Sequence, residues 1–271
     1  MKKTKRTLNY SISHKRYLRS LKLNRLYISI GRWSLLIILL ILWEFIANAG
    51  IVDPFITSSP SRIFFKLKDL FVSNEIYLHV RVTLTECILS FTLSTIIGVA
   101  VALLLYLLPF VRKILDPYLV ILNSLPKVAL GPLILVWVGT GTKAVVTMGI
   151  LICIIITILS MLGGYLKVDQ DKIKLMQTMG ANRFQIMHML VIPSTLPEFI
   201  SVLKINVGMA WVGVIMGEYL SSKAGLGYLI VYGGQFFDLD QVMASIFVIC
   251  VLASLMYFLV SSLEYLLNKK R

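Results

Sequence analysis

Long apolar runs separated by short polar breaks dominate this chain. Five of them, at about 33–49, 82–108, 117–139, 143–163 and 242–264, meet the roughly 17–25 apolar residues needed to cross a hydrocarbon core. A sixth, 199–221, is interrupted by Lys204 and Glu218 but is otherwise apolar. Unbroken runs of this length predict helices and exclude an outer-membrane barrel, whose strands alternate. The expected fold is an all-α membrane protein with six transmembrane helices.

One break is far longer than the others. Leu166 to Pro197 spans about thirty residues, whereas helix connections usually need 2–8. Its pattern predicts a helix starting at Asp171 as N-cap and running through Ile173, Leu175, Met176 and Met179. Gly180 stops it, since glycine takes the left-handed C′ conformation without strain. Asn182 is expected to cap a second helix, with Pro193 and Pro197 ending that one. A loop with its own periodicity reads as a docking element between helices 4 and 5.

Basic residues orient the expected spans. Residues 1–32 carry ten lysines and arginines and no acid. With that tail in the cytoplasm, nineteen basic residues fall inside and six outside, counting Lys269, Lys270 and Arg271 among the nineteen. Both termini are therefore expected inside. Four regions follow: a basic cytoplasmic tail (1–32), a first span with an outer amphipathic segment (33–75), a transmembrane domain (76–262) and a C-terminal tail (263–271). In the outer segment, Ser59 as N-cap and Pro60 at the first helical position open a stretch with Ile63, Phe64, Leu67, Leu70 and Phe71 on one face.

Composition agrees: 58% of the 271 residues are hydrophobic and 15% charged, against about 45–50% and 25% in soluble domains. The net charge of +14 is placed where topology and anionic headgroups want it, so no nucleic-acid partner is expected. Cys87, Cys153 and Cys250 lie in apolar runs and read as small hydrophobes. Ala47-Asn48-Ala49 has the A-x-A form that signal peptidase cuts. Glu44 and the long basic region before the span argue against cleavage.

Catalytic signatures and a P-loop are absent from the sequence, so neither catalysis nor nucleotide binding is expected of this chain. Gly139-Thr140-Gly141-Thr142-Lys143-Ala144 matches G-x-G-x-x-A but joins two spans, and reads as a tight turn. Gly213 and Gly217, and Gly98 with Ala102, have small-xxx-small spacing, which serves packing within one subunit or a dimer seam. Ionisable residues inside spans are functional candidates. Lys127, between Pro126 and Pro132, sits where a broken helix is expected and is the first solute-path candidate. Glu218 is a second; it, Lys204 and Glu86 lie near span ends, where snorkelling would also account for them.

The stretch Met179–Lys204, MGANRFQIMHMLVIPSTLPEFISVLK, resembles the cytoplasmic loop of inner-membrane permease subunits of ABC importers. That family's pattern is E-A-A, three residues, Gly, nine residues, Ile, one residue, Leu-Pro. With its glycine on Gly180, Leu190 takes the isoleucine position and Ile192-Pro193 takes Leu-Pro; Lys174-Leu175-Met176 replaces E-A-A. The resemblance covers about residues 76–262. Leu125-Pro126-Lys127, Trp137 to Gly141, and Gly217-Glu218-Tyr219 leading to Gly225-Leu226-Gly227-Tyr228 are similar to the branch importing nitrate, sulfonates and taurine.

The resemblance implies a pore of two copies, with Asp171, Lys174, Leu175, Met176, Gly180, Ala181, Arg183, Leu190 and Pro193 in the coupling loop. It also implies a separate cytoplasmic ATPase that binds ATP, and an extracytoplasmic solute-binding protein. Two other readings stand beside it. One is an ion-gradient-driven secondary transporter, which would need inverted repeats and buried coupling carboxylates. The other is a membrane-embedded enzyme or scaffold, for which His14, His79 and His188 are too dispersed.

Overall fold

The computed structural model describes residues 12–50 and 57–268, which are mostly helical with short connections and no strand among them. Lys269, Lys270, Arg271 and the first part of the basic tail lie outside the described residues. The chain divides into two compact units, Met1–Ile63 and Phe64–Arg271.

In the first unit, α1 (Ile12–Asn48) begins about twenty residues before the expected span. Its apolar, membrane-length part is Leu26–Asn48. Lysine, arginine and leucine are good helix formers, so the change from charged to apolar residues does not interrupt the helix. Glu44, unexpected in an apolar run, has a use. Its carboxylate accepts the Ser61 N–H at 3.0 Å and the Ser61 hydroxyl at 2.7 Å, fixing the start of the next helix. That helix, α2 (Pro60–Val72), opens as expected, with Ser59 Oγ accepting the Arg62 N–H at 3.4 Å. It runs across the boundary between the units.

The second unit is built from α3 (Glu75–Leu107), α4 (Pro109–Ser124), α5 (Gly131–Val138), α6 (Thr142–Leu166), α7 (Gln170–Thr178) and α8 (Arg183–Ile186). It continues through α9 (Ile192–Ser194), α10 (Leu196–Ser221), α11 (Leu226–Gln235) and α12 (Leu239–Asn268). Among the described residues five helices are long and apolar enough to cross a membrane, or six if the bent pair around Lys127 counts as one span. Helix α6 is central and packs along both α3 and α10.

Small residues make that packing close. A Cβ on Gly213 would lie 2.6 Å from the Gly149 Cα, and one on Gly217 2.7 Å from the Val145 Cα. The Gly213/Gly217 pair therefore serves packing within one chain, against α6. Gly98 does the same on α3, where a Cβ would lie 2.7 Å from Thr157. Lipid offers no hydrophobic drive between helices, so close backbone approach and polar bonds hold them. The polar bonds meet at Asn206, fully buried on α10. Its Nδ2 donates to Thr95 Oγ1 on α3 at 3.1 Å and to Thr157 Oγ1 on α6 at 2.8 Å. A second α10 contact, Lys204 with Glu264 of α12, pairs a span lysine with a carboxylate. Lys204 needs no snorkelling to water.

The G-x-G-x-x-A match that begins at Gly139 joins α5 to α6, with Gly139 and Gly141 both at φ +88°. No βαβ unit surrounds it, and it is a turn.

Candidate functional site

The polar segment after α6 folds as helix, glycine, helix. Helix α7 starts two residues earlier than the sequence suggested: the N-cap is Asp169, whose Oδ1 accepts the Asp171 N–H at 2.9 Å. Asp171 is instead in the first turn, where its charge suits the helix dipole. Both aspartates satisfy the cap rule, and Val168, buried in the core, decides between them by fixing the chain's entry.

At the other end the chain forms a Schellman motif. Gly180 sits at φ +84°, its N–H donates to the Gln177 carbonyl at 3.0 Å, and the Ala181 N–H reaches the Met176 carbonyl at 3.0 Å. Asn182 follows at once as N-cap of α8. Its Oδ1 accepts the Gln185 N–H at 2.9 Å while Gln185 Oε1 accepts the Asn182 N–H at 2.8 Å, a reciprocal capping box. Two helix ends thus meet across four residues, Met179 to Asn182, with local hydrogen bonds closing both caps.

Pro193 and Pro197 do not end the second helix. The chain passes from α8 through a π-helical turn, Met187–Val191, into α9 and then α10, with each proline in the first turn of its helix. A proline there lacks only an N–H that would have no intrahelical acceptor, and the wider π turn, with the Ile192 N–H on the Met187 carbonyl, brings the backbone to it.

The segment has two faces. Ile173, Met176, Ala181 and Leu190 pack on a core that includes Tyr165, Val168, Ile186 and Val191. Leu175, Met179, Phe184 and Met189 are exposed, Met179 by 79% and Phe184 by 74%. Met179 and Met189 line a hollow of about 280 Å³ together with Met176, Gly180, Ala181 and Gln185. Lys174 and Arg183 are exposed around it, with Lys174 only loosely paired to Asp171 at 3.5 Å.

Lys127 lies at a break, as its flanking prolines predicted. Helices α4 and α5 are separated by a 3₁₀ turn, Lys127–Leu130, and the two halves bend by 87°. The ammonium group donates to the Asn123 carbonyl at 3.2 Å on an exposed surface. Glu218 is elsewhere, at the end of α10 beside α11, and is 1% exposed. It does not snorkel: Oε1 accepts the Thr83 hydroxyl at 2.6 Å and Oε2 the Gly227 N–H at 2.5 Å. Glu86, equally buried on α3, is also held inside.

Sequence reasoning passed over Asp169, Thr83 and Asn206. Asp169 was readable from Asp-Gln-Asp, where either aspartate can cap. Thr83 and Asn206 are ordinary polar residues in apolar runs, and their partners are 135 and up to 111 residues away in the chain.

Residues 94–271 match the family described as binding-protein-dependent transport system inner membrane component. The chain belongs to that family. Along most of its length it is similar to individual permeases. It is 29% identical to the taurine transport system permease protein TauC of Escherichia coli (strain K12), over 82% of each chain. It is 30% identical to the formylaminopyrimidine transport permease protein ThiX of Halalkalibacterium halodurans, over 85% of this chain and 92% of that one. With the putative aliphatic sulfonates transport permease protein SsuC of Bacillus subtilis (strain 168) it shares 25% identity over 86% and 85%.

Solved structures agree on the fold. The MetNI methionine ABC transporter in an inward-facing form superposes with TM-score 0.61 at 20% identity, covering 69% of this chain and 95% of that one. A bacterial ABC transporter involved in alginate import gives 0.62 at 18% identity, covering 88% and 98%. The protein is thus a permease subunit of an ABC importer, a multi-pass membrane protein of the transport pathway. Members of this family work with a separate ATPase subunit, on which ATP is hydrolysed, and with a solute-binding protein.

Proposed function

We propose that this permease imports a small solute (an aliphatic sulfonate, nitrate, taurine or a related compound) across the cytoplasmic membrane. The observation that carries the mechanism is the exposed apolar surface of Leu175, Met179, Phe184 and Met189 beside the Gly180 corner. Apolar side chains exposed on a segment whose other face is anchored in the core fit a partner's groove. The partner is a cytoplasmic ATPase, and helix α7 is the piece that enters it. Asp171, Lys174, Leu175, Met176, Gly180, Ala181, Arg183, Leu190 and Pro193 form this coupling segment. Lys174 stands where the family pattern has an acid, so the partner groove differs in charge from the usual one.

In this reading both termini are cytoplasmic, as the basic residues favour. A solute-binding protein delivers the solute at the opposite face, and two copies of the chain form the pore. ATP binding draws the two ATPases together, moves the docked helices and turns the pore outward; hydrolysis returns it. Lys127 is the solute-path candidate, because a cation at a broken span suits an anionic solute. The names of the taurine and sulfonate permease relatives support that choice of solute.

Purification from the native membrane in mild detergent tests the assembly. A co-purifying P-loop ATPase with two copies of this chain is the expected result. A homo-oligomer that moves solute without an ATPase overturns it. Uptake of radiolabelled taurine, competed by ethanesulfonate and by nitrate, tests the solute; no taurine uptake, or uptake that neither competitor reduces, would remove the sulfonate and nitrate assignment.

A further inference from the structure

Three consecutive backbone N–H groups at the start of α11 are accepted by side chains of other helices. Gly225 donates to His79 Nδ1 at 3.0 Å, Leu226 to Thr83 Oγ1 at 2.8 Å and Gly227 to Glu218 Oε2 at 2.5 Å. The first N–H groups of a helix lack intrahelical acceptors and usually take a local cap or water. Here α3 supplies two acceptors and α10 the third. Thr83 links them, since its hydroxyl accepts from Leu226 and donates to Glu218. His79 Nδ1 also lies 3.1 Å from the Gly225 carbonyl, so it accepts from the Gly225 N–H in one tautomer and donates to the Gly225 carbonyl in the other; its ring stacks on Tyr228 of α11 at 6.0 Å and 8°.

The glycines make room for this. A Cβ on Gly225 would run into the Glu218 carboxylate, and one on Gly227 would lie 2.8 Å from Glu218 Oε2. Gly217-Glu218-Tyr219 and Gly225-Leu226-Gly227-Tyr228 are therefore parts of one construction. The carboxylate and the positive end of the ten-residue helix α11 also attract each other.

We propose that Glu218 is a positioning residue for transport. Through these bonds it fastens α11 to α3 and α10, so that the three move as one body when the pore changes the side it faces. A second buried carboxyl group, Glu86, lies on α3 with His79 and Thr83; it lines a cavity with Thr142, and its Oε2 has no hydrogen-bond partner among the described residues. No described ion pair involves either group, although Arg81 shares a cavity lining with Glu86.

The test uses the permease reconstituted with its ATPase and binding protein, with two readouts: radiolabelled taurine uptake per ATP hydrolysed, and hydrogen exchange at the amides of residues 225–227. Glu218→Ala removes an acceptor from a buried N–H and hydroxyl, so exchange there should speed up by about tenfold or more, and uptake per ATP should fall by about as much. Glu218→Gln keeps one acceptor oxygen for the Gly227 N–H, and its amide N–H can donate to Thr83 Oγ1 in place of the hydroxyl's own donation, so it should restore most of both.

Loss of uptake in Glu218→Ala with the amides still protected would mean that Glu218 acts on solute directly. Loss in Glu218→Gln would mean that its charge matters rather than its bonds; either result overturns the proposal, and so does normal uptake by Glu218→Ala. If Glu218→Ala fails to assemble, Thr83→Val, with Thr83→Ser as its rescue, reads the same amides and should give a smaller loss in the same direction; unchanged exchange in Thr83→Val overturns the linkage. Should the parent protein move no taurine, the solute assignment fails, while amide exchange still reports on Glu218.

Discussion

Gly213 of α10 faces Gly149 of α6 so closely that a Cβ on Gly213 would lie 2.6 Å from the Gly149 Cα. The obstruction is backbone, which cannot rotate away. Gly213→Ala should therefore push α10 off α6 and destabilise the permease by about 1–3 kcal/mol, the usual range for overpacking. Thermal unfolding in detergent checks this. An unchanged midpoint would mean that the helices are not this close.

Asn206 ties the same helices by hydrogen bonds, with a smaller expected effect. Interhelical polar bonds in membranes are worth only about 0.6 kcal/mol on average and about 1.7 at most. Asn206→Leu should thus lower the unfolding midpoint less than Gly213→Ala does. The reverse order would place polar bonds, rather than backbone approach, as the main contact between α10 and its neighbours.

At Gly180 nothing stands within 4 Å of the position a Cβ would take. Space is not the constraint there; the φ of +84° is. Gly180→Val should strain the corner by about 1–2 kcal/mol and abolish coupled uptake while the protein stays in the membrane. Gly180→Asn, which tolerates the left-handed region, should retain most of it. Normal uptake by Gly180→Val would remove the corner from the mechanism.

Lys174→Glu tests the proposed docking of α7. The lysine is 72% exposed and its contact with Asp171 is long, so an exposed pair of this kind contributes at most about 1 kcal/mol to the fold. Membrane abundance should be unchanged while the ATPase co-purifies more weakly. Undiminished co-purification would show that α7 does not present Lys174 to the partner.

The spans were legible because a membrane helix needs little more than a long apolar run, and the break at Lys127 because two prolines announce it. Gly180 and Asn182 were legible because their roles depend on their own backbone and near neighbours. Two local readings failed for the same reason. Asp171 lost the cap to Asp169, and Pro193 and Pro197 turned from terminators into first-turn residues, because packing of Val168 and the π turn set where the helices begin. Glu218 was readable as a candidate but not as a cap for α11. Its partner Thr83 is far away in the chain, and nothing near Glu218 in sequence names it.

The π turn at Met187–Val191 sets an angular phase. It spends one residue more than an α turn would, and one residue corresponds to about 100° around a helix axis. Ile186 is buried while Phe184 and Met189 face outward, and that assignment holds only at this phase relative to α10. A chain one residue shorter there would keep its helices, its caps and its hydrophobic count. It would nevertheless present a different side of the Gly180 corner, turned by roughly a quarter of a revolution. The azimuth at which this permease offers itself to another protein is thus written in the length of a single turn, independently of which residues occupy the surface.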